Sequence, residues 1–239
     1  MKSIIFLLFI AFILVEGFAQ NKTLTLHYPN DSTNVIDISG LDSMSIFICG
    51  VSKVNYGGKY YNTVLINNQC WLKENLDVGT MIPVGTDQSN NSVIEKYCFN
   101  NSQDSCAKYG GLYMWNETMQ YSTIEGARGI CPEGWRIPTK VDFDSFYTAV
   151  GGDGNAIKAI GQGSGGGAGT DTFGFSALLG GIREYNRTFT EFNIHTHFWS
   201  STGGSGQAHQ IYLWPNDNRI LFHFGNITVL GFSVRCIKD

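Results

Sequence analysis

The rhythm of apolar and polar positions changes along this chain and divides it. Behind Lys2, residues 3–15 are an almost unbroken apolar run, and Gly17-Phe18-Ala19 ends it in a small residue. A basic start, a short apolar stretch and a small residue predict a secretory signal peptide over residues 1–19. The run is shorter than the roughly 20 residues a transmembrane helix needs, and no second run of that length follows. Thr23 to His27 then alternates with period two, the mark of a half-buried strand. Pro29-Asn30-Asp31-Ser32 reads as a turn, and Val35 to Ile38 and Met44 to Ile48 repeat the strand pattern. Residues 20–50 are thus expected to form a small β-meander, too short to hold a core alone.

From residue 51 the pattern becomes that of one larger domain, 51–239. Gly57-Gly58 predicts a hairpin, with Lys59 to Asn67 as its second strand and Asn67-Asn68 as the next turn. Gln69 to Leu76 is a compact apolar segment. Asp77 to Ser105 is polar and turn-rich, and Tyr109 to Trp115 is aromatic and expected to be buried. Thr139 predicts a helix N-cap with Asp142 at the capping-box position; Phe143, Phe146, Tyr147 and Val150 share one face. Gly151-Gly152 stops that helix. Gly161 to Gly169 reads as an unstructured surface loop; without Gly-Lys-Ser/Thr it is not a phosphate cradle. Thr188 to Ser200, Gln210 to Trp214, Ile220 to Phe224 and Val229 to Ile237 read as short antiparallel strands.

Charge and cysteine change the picture next. With 16 basic and 20 acidic residues scattered along it, the chain carries a net charge of −4. That leaves no nucleic-acid footprint and no basic cluster for an anionic membrane surface. All six cysteines follow the apolar leader, as expected for disulfides in an oxidising compartment. The absence of Cys-x-x-Cys argues against a zinc knuckle. Spacing alone leaves 15 pairings open. Cys49 and Cys70 bracket the first hairpin, Cys98 and Cys106 would clip a polar loop, and Cys131 is best matched by the distant Cys236. Cys131 heads Cys131-Pro132-Glu133-Gly134-Trp135-Arg136-Ile137-Pro138, a short strand bounded by prolines.

Six segments together resemble the Fibrobacter succinogenes major paralogous domain, a secreted bacterial family common in Bacteroidetes. They are Gln69 to Leu76, Tyr109 to Trp115, Cys131 to Pro138, Gly174 to Leu178, Phe198 to Thr202 and Ser233 to Asp239. The chain departs from the family at Leu179, where proline is usual, and at Asn186, where glycine is usual. The resemblance covers about Tyr56 to Asp239. It implies an α+β, C-type lectin-like fold with short antiparallel strands, long loops and one or two helices. It also implies a protein of the cell surface or its surroundings, with no established catalytic activity.

Candidate chemistry is sparse. Trp214-Pro215-Asn216-Asp217 resembles the Trp-Asn-Asp of calcium-dependent lectins, where Asn and Asp oxygens hold the ion. The proline interrupts the spacing, no Glu-Pro-Asn or Gln-Pro-Asp lies upstream, and ordinary turn composition is the favoured reading of the segment. Trp214, Asn216 and Asp217 are candidate ligand contacts, no cofactor is expected beyond a calcium ion that this segment leaves open, and Asp153 is read as a turn residue. His195 and His197 are two apart on an expected strand and face one way; His209 and His223 lie on neighbouring segments. They are expected to be surface or half-buried histidines rather than zinc ligands. Glu117, Glu125, Glu133, Glu184 and Glu191 are scattered, and no Gly-x-Ser-x-Gly elbow precedes a helix, so no catalytic residues are named. Trp71, Trp115, Trp135 and Trp199 are expected in the core and Trp214 at the surface. The sequence reading is a secreted, non-catalytic binding or adhesion module for a glycan or a partner protein. Residues 152–170 and 203–219 are its expected contact loops, and a structural assembly module is the alternative, ahead of an enzyme.

Overall fold

The computed structural model describes residues 23–27, 33–37, 46–225 and 227–239. The expected leader, residues 1–19, lies outside the described residues. The chain forms two compact units that meet between Phe47 and Ile48. In the first, β1 (Thr23–His27) pairs antiparallel with β2 (Thr33–Asp37), Thr23 opposite Asp37. The third strand of the expected meander is not formed by Ile46 to Ile48; Met44 and Ser45 lie outside the described residues.

The second unit begins with two hairpins, β3 (Val54–Tyr56) with β4 (Lys59–Tyr61) and β5 (Thr63–Ile66) with β6 (Gln69–Leu72). Next come β7 (Thr80–Met81) and β8 (Glu95–Lys96), a parallel pair, then α1 (Gln103–Tyr109) and α2 (Trp115–Thr118). They are followed by β9 (Trp135–Arg136), α3 (Lys140–Ala149) and the pair β10 (Gly180–Arg183) and β11 (Phe189–Phe192). The chain then forms an antiparallel three-stranded sheet of β12 (Thr196–Gly204), β13 (Gln207–Leu213) and β14 (Ile220–Gly225). The last strand is β15 (Ile237–Lys238). The unit is α+β, built of small, mostly antiparallel sheets with few helices.

β15 does not lie at an edge. Its sheet runs β5-β6-β15-β9, so Ile237 faces Trp71 on one side and Arg136 on the other. The adjoining disulfide joins Cys131 to Cys236 across 105 residues. Cys49–Cys70 and Cys98–Cys106 form the other two bridges. One step earlier, the Arg235 guanidinium is wholly buried. It donates to Asn75 Oδ1 and to the carbonyls of Leu72, Phe175 and Ser176, and lies over the Phe175 and Phe198 rings. Burial lowers its pKa to about 9.

Two apolar clusters flank this sheet. Trp71 sits among Phe143, Phe146 and Phe175, with ring centroids 5.2–5.9 Å away. Trp199, Phe232, Tyr113, Trp115 and Trp135 lie in the other cluster. Helix α3 has its capping box at Thr139 and Asp142, and Asp142 also takes a two-pronged contact from Arg136, tying helix to sheet.

Four sequence expectations change. Tyr147 is 41% exposed although it follows Phe146 on the expected apolar face. It rests its ring on Phe222 instead. The Cys98–Cys106 span is not a plain loop, because Cys106 sits on α1. Thr188 to Ser200 is two strands split by a tight turn at 193–195. Val229 to Val234 runs through isolated bridges (Gly231 to Arg183, Phe232 to Tyr113, Ser233 to Phe198) because its successive residues pair with different segments.

Replacing both Cys131 and Cys236 by serine should cost up to about 4.7 kcal/mol, the chain-entropy value for a loop of about 100 residues. A urea melt checks this; an unchanged midpoint would show that the bridge constrains nothing.

Candidate functional site

The loops on one face begin with the glycine tract. Its amides are bonded: Ser164 N donates to Pro215 O at 2.6 Å, and Asn155 Nδ2 donates to Gly166 O. A Cβ at Gly163 would lie 2.6 Å from Pro215 O, and one at Gly167 would collide with the backbone of Asn216 and Asp217. So the tract is not the loose loop expected from composition. Its lack of side chains lets its backbone lie directly against the 215–217 turn. Gly154 N, donating to Asn218 O, extends the same contact. Residues 152–170 and 214–219 therefore form one surface.

Lys158 fixes that surface from below. It is fully buried, and its ammonium donates to Trp214 O and Asp217 O, both at 2.9 Å. Burial lowers its pKa, against the pull of Asp217 and Asp153. Above it, Trp214 is 40% exposed, while Trp71, Trp115, Trp135 and Trp199 are buried. Asn216 is exposed. Asp217 is engaged: its carboxylate accepts from the backbone and side chain of Arg219, which hold its pKa down to about 2. Asp153 Oδ1 accepts from Asn155 N, a turn contact.

A cleft of about 300 Å³ opens beside this turn, lined by Gln162, Ser164, Leu179, Asn193 and Pro215 among others. Asn193 belongs to the tight turn between β11 and β12. There Glu191 and Asn193 take φ of 62° and 59°, a left-handed backbone that costs non-glycine residues energy. Ile194 N and His195 N both donate to Glu191 O. The turn brings His195 Nδ1 to 2.7 Å from Glu191 Oε2, and it sets the His195 ring 4.9 Å from that of Trp214.

His197 completes the group from β12. Its ring is stacked by Tyr212 at 5.2 Å and Phe232 at 4.6 Å. Nδ1 lies 2.7 Å from Gln210 Oε1. An amide oxygen only accepts, so Nδ1 carries a proton and donates to it. Nε2 sits 3.5 Å from Glu191 Oε2 and has no hydrogen-bond partner among the described residues. The neighbouring His197 holds the Glu191 carboxyl below its ordinary pKa, against partial burial and with help from His195. The three donor atoms lie within 4.8 Å of one another. His209 stacks on Phe224 and takes no part, and neither does His223. The sequence reading set the two histidines aside as non-ligands and counted Glu191 among scattered glutamates without joining them; the spacing Glu-x₃-His-x-His was the available pointer.

A second cleft, of about 430 Å³, is lined by Lys59, Lys73 and Lys108 with Glu74 and Arg235. Its glutamate already accepts from Asn62, and Arg235 is spent on the carbonyls described above.

The family model described as the Fibrobacter succinogenes major domain matches residues 64–238. No curated protein and no solved structure matches the chain.

A Lys158→Met chain keeps the bulk but leaves the Trp214 and Asp217 carbonyls without their donor. It should lose about 1–3 kcal/mol of stability, measured by thermal melting, and the Trp214 fluorescence maximum should shift as the turn loosens.

Proposed function

Since the chain belongs to the Fibrobacter succinogenes major domain family, we propose that it is a secreted, non-catalytic binding module of C-type lectin-like fold that holds a glycan on the Trp214 face. Three disulfides support an oxidising destination. No helix among the described residues is long and apolar enough to cross a membrane. Short antiparallel strands, long loops and a sheet uniting residues 63–72 with 135–136 and 237–238 support the lectin-like reading.

The observation that carries the glycan reading is the exposed Trp214 ring beside a cleft. An aromatic face offers the apolar C–H side of a sugar a large contact, and polar neighbours meet its hydroxyls. Here those neighbours are Gln162, Ser164 and Asn193. The support is rigid: Lys158 and the glycine tract hold the turn through its backbone, so the exposed part of the indole can meet a ligand.

A glycan array probed with the purified chain should give binding to a limited set of sugars. Trp214→Ala should weaken that binding at least tenfold with an unchanged melting temperature, since Lys158 grips the carbonyl and not the ring. A blank array, or equal binding by the variant, would count against the proposal.

A further inference from the structure

We propose that Glu191, His195 and His197 form a binding site for a divalent transition-metal ion of the zinc class. Two imidazole nitrogens and a carboxylate oxygen lie within 4.8 Å of one another. A tetrahedral ion with bonds of about 2.0–2.1 Å holds its ligands about 3.3 Å apart. Two of the separations here, 2.7 Å and 3.5 Å, already bracket that value. Small side-chain rotations would close the set.

His197 is the decisive residue. Glu191 Oε2 reaches His195 Nδ1 at 2.7 Å, a full hydrogen bond, but at 3.5 Å from His197 Nε2 it makes only a long contact. His197 is only 9% exposed, stacked by two aromatic rings, and its buried Nε2 makes no hydrogen bond among the described residues, Glu191 Oε2 standing 3.5 Å away. A buried nitrogen without a hydrogen bond is unfavourable unless something occupies it. Its other nitrogen donates to Gln210 Oε1, the arrangement by which proteins fix the tautomer and orientation of a metal-binding imidazole. The left-handed backbone at Glu191 adds a second peculiarity at the same place, since strain of this kind collects at ligand sites.

The donor set selects the ion. Calcium takes oxygen ligands almost alone, whereas two imidazoles with one carboxylate suit zinc, cobalt or nickel. The Glu191 and His195 side chains remain 31% and 16% exposed, so the remaining coordination positions face solvent. The site lies beside Trp214 but is independent of the glycan proposal, because metal uptake is read with no sugar present.

The test is titration of the purified chain, first stripped with chelator, with cobalt(II) chloride. One equivalent should bind and give the visible bands of a four- or five-coordinate ion with nitrogen ligands; zinc should displace it, and millimolar calcium should not. Glu191→Gln and His195→Ala alter partly exposed side chains outside the apolar clusters, and each should weaken cobalt binding at least tenfold. Circular dichroism and melting confirm that both remain folded. No cobalt uptake by the unaltered chain at millimolar metal would overturn the proposal. So would uptake that both folded variants retain undiminished.

Discussion

The second unit is closed by a strand of two residues. β15 fills the gap between β6 and β9, so residues more than a hundred positions apart share one hydrogen-bonded sheet. The three residues before β15 reinforce the closure, each by a different physical means. Val234 receives a hydrogen bond from Leu76 N, Arg235 gathers the carbonyls of Leu72, Phe175 and Ser176, and Cys236 is covalently bound to Cys131. Among the described residues the buried guanidinium hydrogen-bonds to no carboxylate, and Glu74 and Asp171 favour its charge only through space. It is stabilised by carbonyl dipoles and two aromatic faces, so removing it would leave several polar groups unmet at once.

The candidate face rests on that closed frame but is made differently. Its walls are backbone rather than side chain. Glycines 163 and 167 let two loops touch main chain to main chain, and Lys158 binds the turn from inside. Surface side chains such as Trp214 and Asn216 carry none of that support. They can change without loosening the loop.

Much of the frame was legible in the sequence. The family motifs, the α3 capping box and the buried tryptophans follow from residue types whose chemistry is local. The face was less legible because its order comes from contacts between distant segments. Nine residues holding six glycines read as a loose tract until the 215–217 turn is laid against it. The cluster at Glu191 was hidden for a related reason. Strand periodicity put both histidines on one strand, whereas a tight turn at 193–195 breaks it and swings Glu191 back toward them. Asn186 and Leu179, where the chain leaves the family pattern, sit in a turn and in the apolar cluster respectively.

The central place of β15 also has a consequence in time. A ribosome makes residues 63–136 long before it makes residue 237, and until then β6 and β9 have no strand between them. Early in synthesis the chain can form its local hairpins and α3, but the sheet stays open and Trp71 lacks part of its cover. Completion waits on the most distant strand pairing among the described residues, which is the slow kind of contact to form. A chain that cannot lock before its late residues appear keeps this sheet open until synthesis is nearly complete.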